Sequence, residues 1–469
     1  MKANDNWYYK FFTILTVFLL CLGGGNVVHA DEPLNIGSRL ELFVDYYMIE
    51  KLEGVQLKLH TPQLAPLSAN PPQGGYATVI KDGNLYRLYH RDSLKSYKGQ
   101  RYDGNPGEIT CYMESHDGIN WISPNLGLND VDGTKENNVI FARAMPYSHN
   151  FSPFLDHRPS VPAEQRFKAL AGVKKGGKQV YPGGLHAFIS ADGIHWKKLR
   201  DKAVIKYHSS AFDSQNVSFW SEYEQCYVCF FRTWTGGWWQ GLRTISRTTS
   251  KDFVNWTKPE AMNPNAEGEH LYTSQTHPYF RAPHIYIATP TRLAAQRGAL
   301  TDIVFMSSRG GNHYERTFLE AFIRPGFDPK HWTNRANYAA LNVVPTTPTE
   351  MSIYISQRRY FLRTDGFVSV NAPYKGGQML TKPFIFDGKH LIINYSTAAS
   401  GSMQVEVQNL TGEPLEGFSL ADCAEFYGNS IEHTVNWKNG NDLGKLASTP
   451  LRLRFIMKDA DLFSLRFSD

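Results

Sequence analysis

Cys111-Tyr-Met-Glu-Ser-His-Asp-Gly-Ile-Asn-Trp121 decides the fold because the chain repeats it. It returns as His186-Ala-Phe-Ile-Ser-Ala-Asp-Gly-Ile-His-Trp196. Looser copies are Ile245-Ser-Arg-Thr-Thr-Ser-Lys-Asp-Phe-Val-Asn-Trp256 and Ile303-Val-Phe-Met-Ser-Ser-Arg-Gly-Gly-Asn-His-Tyr314. Each phrase reads as a strand, a tight turn and an aromatic ring. An Asp-Gly turn supplies the positive-φ residue, Ser and Asp side chains bond turn amides, and the ring packs back over the sheet. The ring positions are 75, 60 and 58 residues apart, the period of a four-stranded sheet rather than a helix pair. Four phrases in register predict an all-β chain built as a β-propeller.

At 469 residues the chain suits one large domain plus a smaller one. Aromatic residues at 13%, with 38 Gly and 25 Pro, favour strands and turns. No heptads or long helical stripes appear, which excludes a helix bundle. A net charge of +5 without a Lys/Arg run does not imply nucleic acid. Arginines scattered near aromatics suit an acidic glycan at least as well.

Residues 1–30 read as a secretory leader: Lys2 and Lys10 flank a charged start, residues 11–23 are apolar, and Val28-His29-Ala30 offers a small-x-small cleavage site. A secreted or periplasmic protein cut near Ala30 is expected. The apolar run is too short to span a bilayer. Bulky Leu20 before Cys21 argues against a lipid anchor. Cys111, Cys226, Cys229 and Cys423 remain after cleavage. Cys226-x-x-Cys229 has metal or redox spacing, yet strand residues three apart face opposite sides and no second pair exists. Packed thiols are expected. No ligand spacing predicts a metal, and no cofactor is implied.

Read in order, residues 40–50 and 55–60 form strands, and 64–75 link into the first sheet. Sheets follow at about 76–124, 151–199, 212–259 and 271–314, then a crossing stretch with a short helix at 318–340. A fifth sheet is expected to open at Glu350 and to be closed by a strand from the N-terminal segment. Beyond Gly376-Gly377 the strands alternate with period two, which reads as a β-sandwich or jelly roll. The expected organisation is a five-bladed β-propeller over 31–375 followed by a β-sandwich over 376–469.

The chain resembles the five-bladed propeller glycoside hydrolases, the group of invertases, levansucrases and arabinanases. It is most similar to secreted bacterial proteins with a family-32-type glycosidase domain. The phrases that carry the likeness are Leu42-Phe-Val-Asp45, Glu114-Ser-His-Asp-Gly-Ile-Asn-Trp121, Phe212-Asp-Ser-Gln-Asn216, Tyr279-Phe-Arg-Ala-Pro283 and Arg363-Thr-Asp-Gly-Phe367. The resemblance implies three acids facing a central funnel: a first-blade Asp as base or nucleophile, a second-blade Asp that orients the sugar, and a third-blade Glu as acid. This chain departs from that pattern, with Gly74-Gly75-Tyr76 at the first position and Asp213 at the third. Asp156 falls where the second should be.

Glycoside cleavage needs two carboxyl groups flanking one bond, or a substitute for one. Polar residues beginning innermost strands are therefore the candidates. Asp156, beside His157 and Arg158, reads either as a funnel carboxylate or as a turn cap. Asp213 heads Ser214-Gln215-Asn216; burying these polar groups without partners is costly, so a wet funnel or an Asx turn explains them. Glu350 and Glu269 are candidates for the other carboxyl, the former equally readable as an ion pair between blades. Arg158, Asn216 and Arg281 are expected to hold substrate. His277 is readable as a sugar ligand, as a proton donor like that of the related anhydrogalactosidase propellers, or as a satisfied wall histidine. Trp238, with Trp234 and Trp239, offers stacking for a sugar. Asp117, Asp192 and Asp252 belong to the turns.

The function expected is hydrolysis of a terminal glycosidic bond in a plant or algal polysaccharide. The alternatives are a polysaccharide lyase using His277, Tyr279 and Arg281, and a glycan-binding propeller without catalysis.

Overall fold

The computed structural model describes residues 32–173, 183–207 and 211–469. The expected leader and Cys21 lie outside them. The described residues form strands and three short 3-10 turns, with no α-helix and no helix long and apolar enough to cross a membrane. The short helix expected within 318–340 is the 3-10 turn Pro329–Trp332.

Three four-stranded antiparallel sheets follow one another. The first holds Gly75–Asp82, Leu85–Ser93, Glu108–Ser115 and Val139–Phe141. The second holds Ser152–Leu155, Phe167–Ala171, His186–Ser190 and Lys197–Lys198, and the third Val217–Ser221, Cys226–Trp234, Arg243–Ser250 and Glu260–Ala261. The fourth is split: Ala282–Ala288 pairs with both His277–Tyr279 and Met306–Ser308, while Thr291–Ala294 pairs with both His270–Leu271 and Leu300–Ile303. The fifth is Val344–Pro345, Glu350–Ile355 and Arg358–Arg363, completed by the N-terminal strand Gln63–Leu64. It does not open at Glu350. Val344–Pro345 precedes it and pairs with Met351 and Ser352, which puts Glu350 at a hairpin turn.

The repeated phrases have the local chemistry that their residues dictate. Ser115 Oγ lies 2.9 Å from Asp117 Oδ1, and that carboxylate accepts the amides of Ile119 and Asn120 at 2.7 and 2.8 Å. Asp192 and Asp252 repeat this pattern with their own turns. The backbone donors hold Asp117 and Asp252 down at about 2, despite an opposing desolvation. Trp121 is buried edge-on against Tyr354. These aspartates are structural. All four described cysteines are buried free thiols, as expected of packing residues.

The first strands of the first four sheets pack side by side in chain order, and Val343 N–H, just before the fifth, bonds His277 Nε2 of the fourth at 3.0 Å. The last returns to the first where Leu341 N–H bonds Ala77 O at 2.8 Å and Val79 N–H bonds Leu341 O at 3.0 Å. The strands thus close a ring. The end at which they begin is called the mouth below.

Arg452–Ser468 runs through a larger C-terminal sheet, pairing with His390–Gln408, Gly377–Thr381 and Val368–Ala372. Leu453, Phe455 and Met457 face the core while Arg452, Arg454 and Ile456 are only partly covered, the period-two pattern of a one-sided sheet. N-terminal strands complete it: Glu41–Leu42 pairs with Arg452–Ser468, Ile49–Glu53 with Gly377–Thr381, and Gln56–Leu59 with Val368–Ala372. Ion pairs stitch this sheet to the ring. Arg309 bonds Glu41 and Asp45 at 2.8 Å, and Asp365 accepts from Tyr279, Arg281, Asn394 and Ser464.

Candidate active site at the mouth of the ring

Charged groups converge on the mouth from loops and strand ends that are far apart in sequence. Asp213 leads into the third sheet and Asp103 lies on the loop between Leu85–Ser93 and Glu108–Ser115. Their side chains share a hydrogen bond. Arg232, pointing inward from the strand beside Asp213, donates to Asp213 Oδ2 at 2.6 Å. Partial desolvation, then the bond to Asp213 and its charge, push the Asp103 carboxyl up to about 7. Two adjacent carboxyls that share one proton follow the same rule as an acid dyad.

The loop carrying Asp103 is held by Glu108. Its Oε2 accepts Gly104 N–H at 3.1 Å and lies 2.8 Å from His149 Nδ1. Burial, opposed by that bond, holds His149 below the ordinary imidazole range. Arg91 lies 3.0 Å from His149 Nδ1, donates to Asn150 Oδ1 at 2.9 Å and stacks on Tyr76, 4.4 Å from the ring centre. Tyr76, Tyr338 and Tyr272 then follow ring to ring at 5.1 and 5.6 Å.

The backbone at the mouth is unusual. Tyr76, Asn150, Phe212 and Gln275, which lie at or before the first strands of four sheets, have φ of 50, 55, 68 and 51°. Trp238 and Trp239 on the rim have φ of 44 and 71°. A left-handed residue other than Gly costs about 1–2 kcal/mol. Strain gathered where charges converge points to a functional site.

Glutamines close the floor. Gln215 Nε2 donates to Thr78 Oγ1 at 2.9 Å, and Gln275 Nε2 donates to Gln215 Oε1 and Ala339 O at 2.8 and 2.6 Å. The polar run after Asp213 is therefore buried by bonding across the ring rather than wetted by a funnel, and Asn216 likewise bonds the carbonyls of Phe212 and Ser214. The far end of the ring holds a cavity of about 440 Å³ whose walls include Val79, Phe154, Trp220, Phe280 and Val343. It is mostly apolar and lacks a carboxyl pair, so chemistry places the candidate site at the mouth.

Of the residues singled out from sequence, Asp213 stands in the mouth, Asn216 beneath it and Trp238 on its rim. Asp156 does not reach it. It follows its strand instead of beginning it, and its side chain is closed in by Lys168 Nζ at 2.6 Å, Tyr227 OH at 2.7 Å and the Arg158 amide at 2.9 Å. Arg158 lies over the Tyr227 ring. Glu269 is ion-paired to Arg316 at 2.9 Å on the outer side of the fourth sheet. Glu350 sits at its hairpin turn, and Arg281 bridges Asp365 and Glu432. His277 is a wall histidine: Nδ1 lies 2.9 Å from Gln275 O, Nε2 accepts Val343 N–H at 3.0 Å, and burial pushes it down to about 4.

Asp103, Glu108, His149, Arg91 and Arg232 escaped the sequence reading. Arg232 left a signal, as a charge ending the apolar run 226–231 just before the tryptophan loop. Asp103 left none, because its loop has no period. Asp103, His149 and Asp213 offer ligand atoms all within 4.8 Å of one another, a spacing that could hold a divalent cation. Arg91 and Arg232 already stand against two of these groups.

No family model and no curated protein matches the chain. Among solved structures it is similar to a glycoside hydrolase at 14% identity, over 65% of this chain and 91% of that one, with a TM-score of 0.43. A family 43 arabinoxylan arabinofuranohydrolase from Bacillus subtilis is 11% identical over 85% of this chain and 96% of its own, TM-score 0.41. An N-acetylgalactosamine deacetylase from F. plautii is 10% identical over 87% and 95%, TM-score 0.42.

Proposed function

We propose that the protein is a secreted glycoside hydrolase that cleaves a terminal glycosidic bond of a plant or algal polysaccharide, the substrate class implied by the family resemblance. The hydrogen-bonded pair Asp103–Asp213 carries this reading. One member holds a proton near neutral pH and the other is ion-paired with Arg232, which supplies an acid and an anion at one place. Asp103 protonates the leaving glycosidic oxygen while Asp213 attacks the anomeric carbon. Water then cleaves the glycosyl ester, giving its proton to Asp103. Retaining enzymes hold these carboxyls about 5 Å apart, so a sugar must part the pair; Arg232 pins Asp213, which leaves the displacement to Asp103. The architecture belongs to the same reading: the ring of sheets is a five-bladed propeller, and the C-terminal sheet is the inner layer of a sandwich-like accessory domain.

The test is product chromatography with plant and red- and brown-algal glycans, alongside Asp103→Asn and Asp213→Asn. Sugar release lost in both variants supports the assignment, and release unchanged in both sinks it. The 4.8 Å cluster of Asp103, His149 and Asp213 favours a second reading, hydrolysis assisted by a divalent cation. Activity abolished by chelator and restored by Zn²⁺ or Mn²⁺ would select that reading.

A further inference from the structure

Three guanidinium groups crowd one tyrosine ring at the mouth. Arg232, Arg243 and Arg335 lie 4.6, 5.4 and 5.4 Å from the centre of Tyr272. They come from the third sheet's two long strands and from the crossing stretch after Pro329–Trp332. Arg243 is also sandwiched against Trp234 at 4.4 Å. Arg232 pairs with Asp213, but no carboxylate among the described residues forms a salt bridge with Arg243 or Arg335. Arg232 is only 3% exposed, and its Nε and Nη1, like Nε of Arg243, are buried without hydrogen-bond partners.

This is an unbalanced arrangement. Asp213 offsets only part of this: Arg243 is desolvated and repelled by Arg232 and Arg335, and cation–π attraction to one shared ring is weak beside such repulsion in a partly dry site. Buried guanidinium N–H groups left unbonded add a further penalty. Both costs vanish when an oxyanion enters, because planar guanidinium groups bind carboxylate or sulfate oxygens through paired N–H bonds. Arg316, by contrast, has Glu269, which shows that this chain places a carboxylate beside an arginine where structure alone requires one.

We infer that Arg232, Arg243 and Arg335 around Tyr272 form an anion pocket that takes the oxyanion of an acidic sugar, a uronate carboxylate or a sulfate ester, next to the carboxyl pair. The inference rests on the proposed glycan reading and narrows its substrate class to acidic sugars.

Calorimetric titration of the full chain at low salt tests it, with galacturonic acid, glucuronic acid, galactose 6-sulfate and galactose as probes. At least one acidic sugar is expected to bind about tenfold or more tightly than galactose; tighter uronates identify the carboxylate, and a tighter sulfate ester identifies the sulfate. Arg335→Gln, at an exposed position that should leave folding intact, and Arg243→Gln should each cut that preference about five- to tenfold. Equal affinity for acidic and neutral sugars, or a preference unmoved by both variants, overturns the pocket. Failure of the hydrolase reading looks different: acidic sugars still bind through these arginines, yet no glycan is cleaved. Cleavage of neutral glycans that Asp213→Asn abolishes, without acidic preference, removes the pocket and keeps the hydrolase.

Discussion

Asp156 and Asp213 adjoin the first strands of neighbouring sheets, and sequence logic treats them alike. The structure separates them. Asp156 accepts from a lysine, a tyrosine and a backbone amide, and its side chain is wholly covered. Asp213 keeps a fifth of its side chain exposed, faces another carboxyl and stands among arginines with unbonded N–H groups. Charge and burial alone do not distinguish a structural carboxylate from a working one. What differs is the surroundings: Asp156 is enclosed by donors to its carboxylate, whereas Asp213 stays partly open beside buried guanidinium N–H groups that lack partners and would gain from an incoming anion.

The largest expected contrast is catalytic. Asp213→Asn should lower kcat/KM on a cleavable glycan by about 10³-fold, within the range for a positioned acid or base, in a variant that still folds although Arg232 loses its ion pair. A melt collapsing with the activity would put Asp213 with Asp156.

Lys168→Met should do the reverse. It strands a buried carboxylate and should reduce unfolding free energy by about 3–5 kcal/mol in urea titration, while the folded fraction keeps its turnover. Lost turnover in fully folded variant would return Asp156 to the site.

A third measurement is the pH profile. If Asp103 donates the proton, kcat/KM should fall roughly tenfold per pH unit above about 7. Asp103 also has a linkage sign. Its folded value lies above the ordinary 3.8, so its contribution to stability declines as pH rises from about 4 through 7. Asp103→Asn should flatten that slope. Glu41, buried but hydrogen-bonded by His284 and ion-paired with Arg309 and Arg39, is held at about 2 and has the opposite sign. Its contribution is present above the ordinary 4.5 and lost as pH falls toward 2. Glu41→Gln should therefore destabilise the protein at neutral pH and weaken its acid sensitivity.

The smallest effect belongs to the rim. Trp238 is 64% exposed, and Trp238→Ala should raise KM about three- to tenfold at constant kcat if its indole stacks on sugar. Unchanged KM on every cleaved glycan would remove Trp238 from the binding surface.

Much of the fold was legible because its signals are local. The Ser-x-Asp turns, the period-two strands and the closing N-terminal strand are each written in a few adjacent residues. The site was harder to read. Asp213 could be found because polar residues interrupt an apolar strand. Asp103, Arg91 and His149 could not, since they meet only after two loops and a strand have been brought together. The left-handed backbone at Tyr76, Phe212 and Gln275 is carried by residues that give no glycine signal. Asp156 misled because strand position can be guessed from sequence, but the partners that close a carboxylate cannot.

The N-terminal strands set an order of assembly. Glu41 pairs with Leu465, so it leaves the ribosome roughly 420 residues before its partner, a wait of roughly 20–80 s at about 5–20 residues per second. Until then Glu41–Leu42 lacks its partner, and Ile49–Glu53 and Gln56–Leu59 wait for Gly377–Thr381 and Val368–Ala372; unpaired strands of this kind invite association with other chains. The sheets of the ring pair mostly with near neighbours and can form during that wait. The clasp that ties ring to C-terminal sheet is thus the last part to set, and newly made chains are most exposed to aggregation just before it closes.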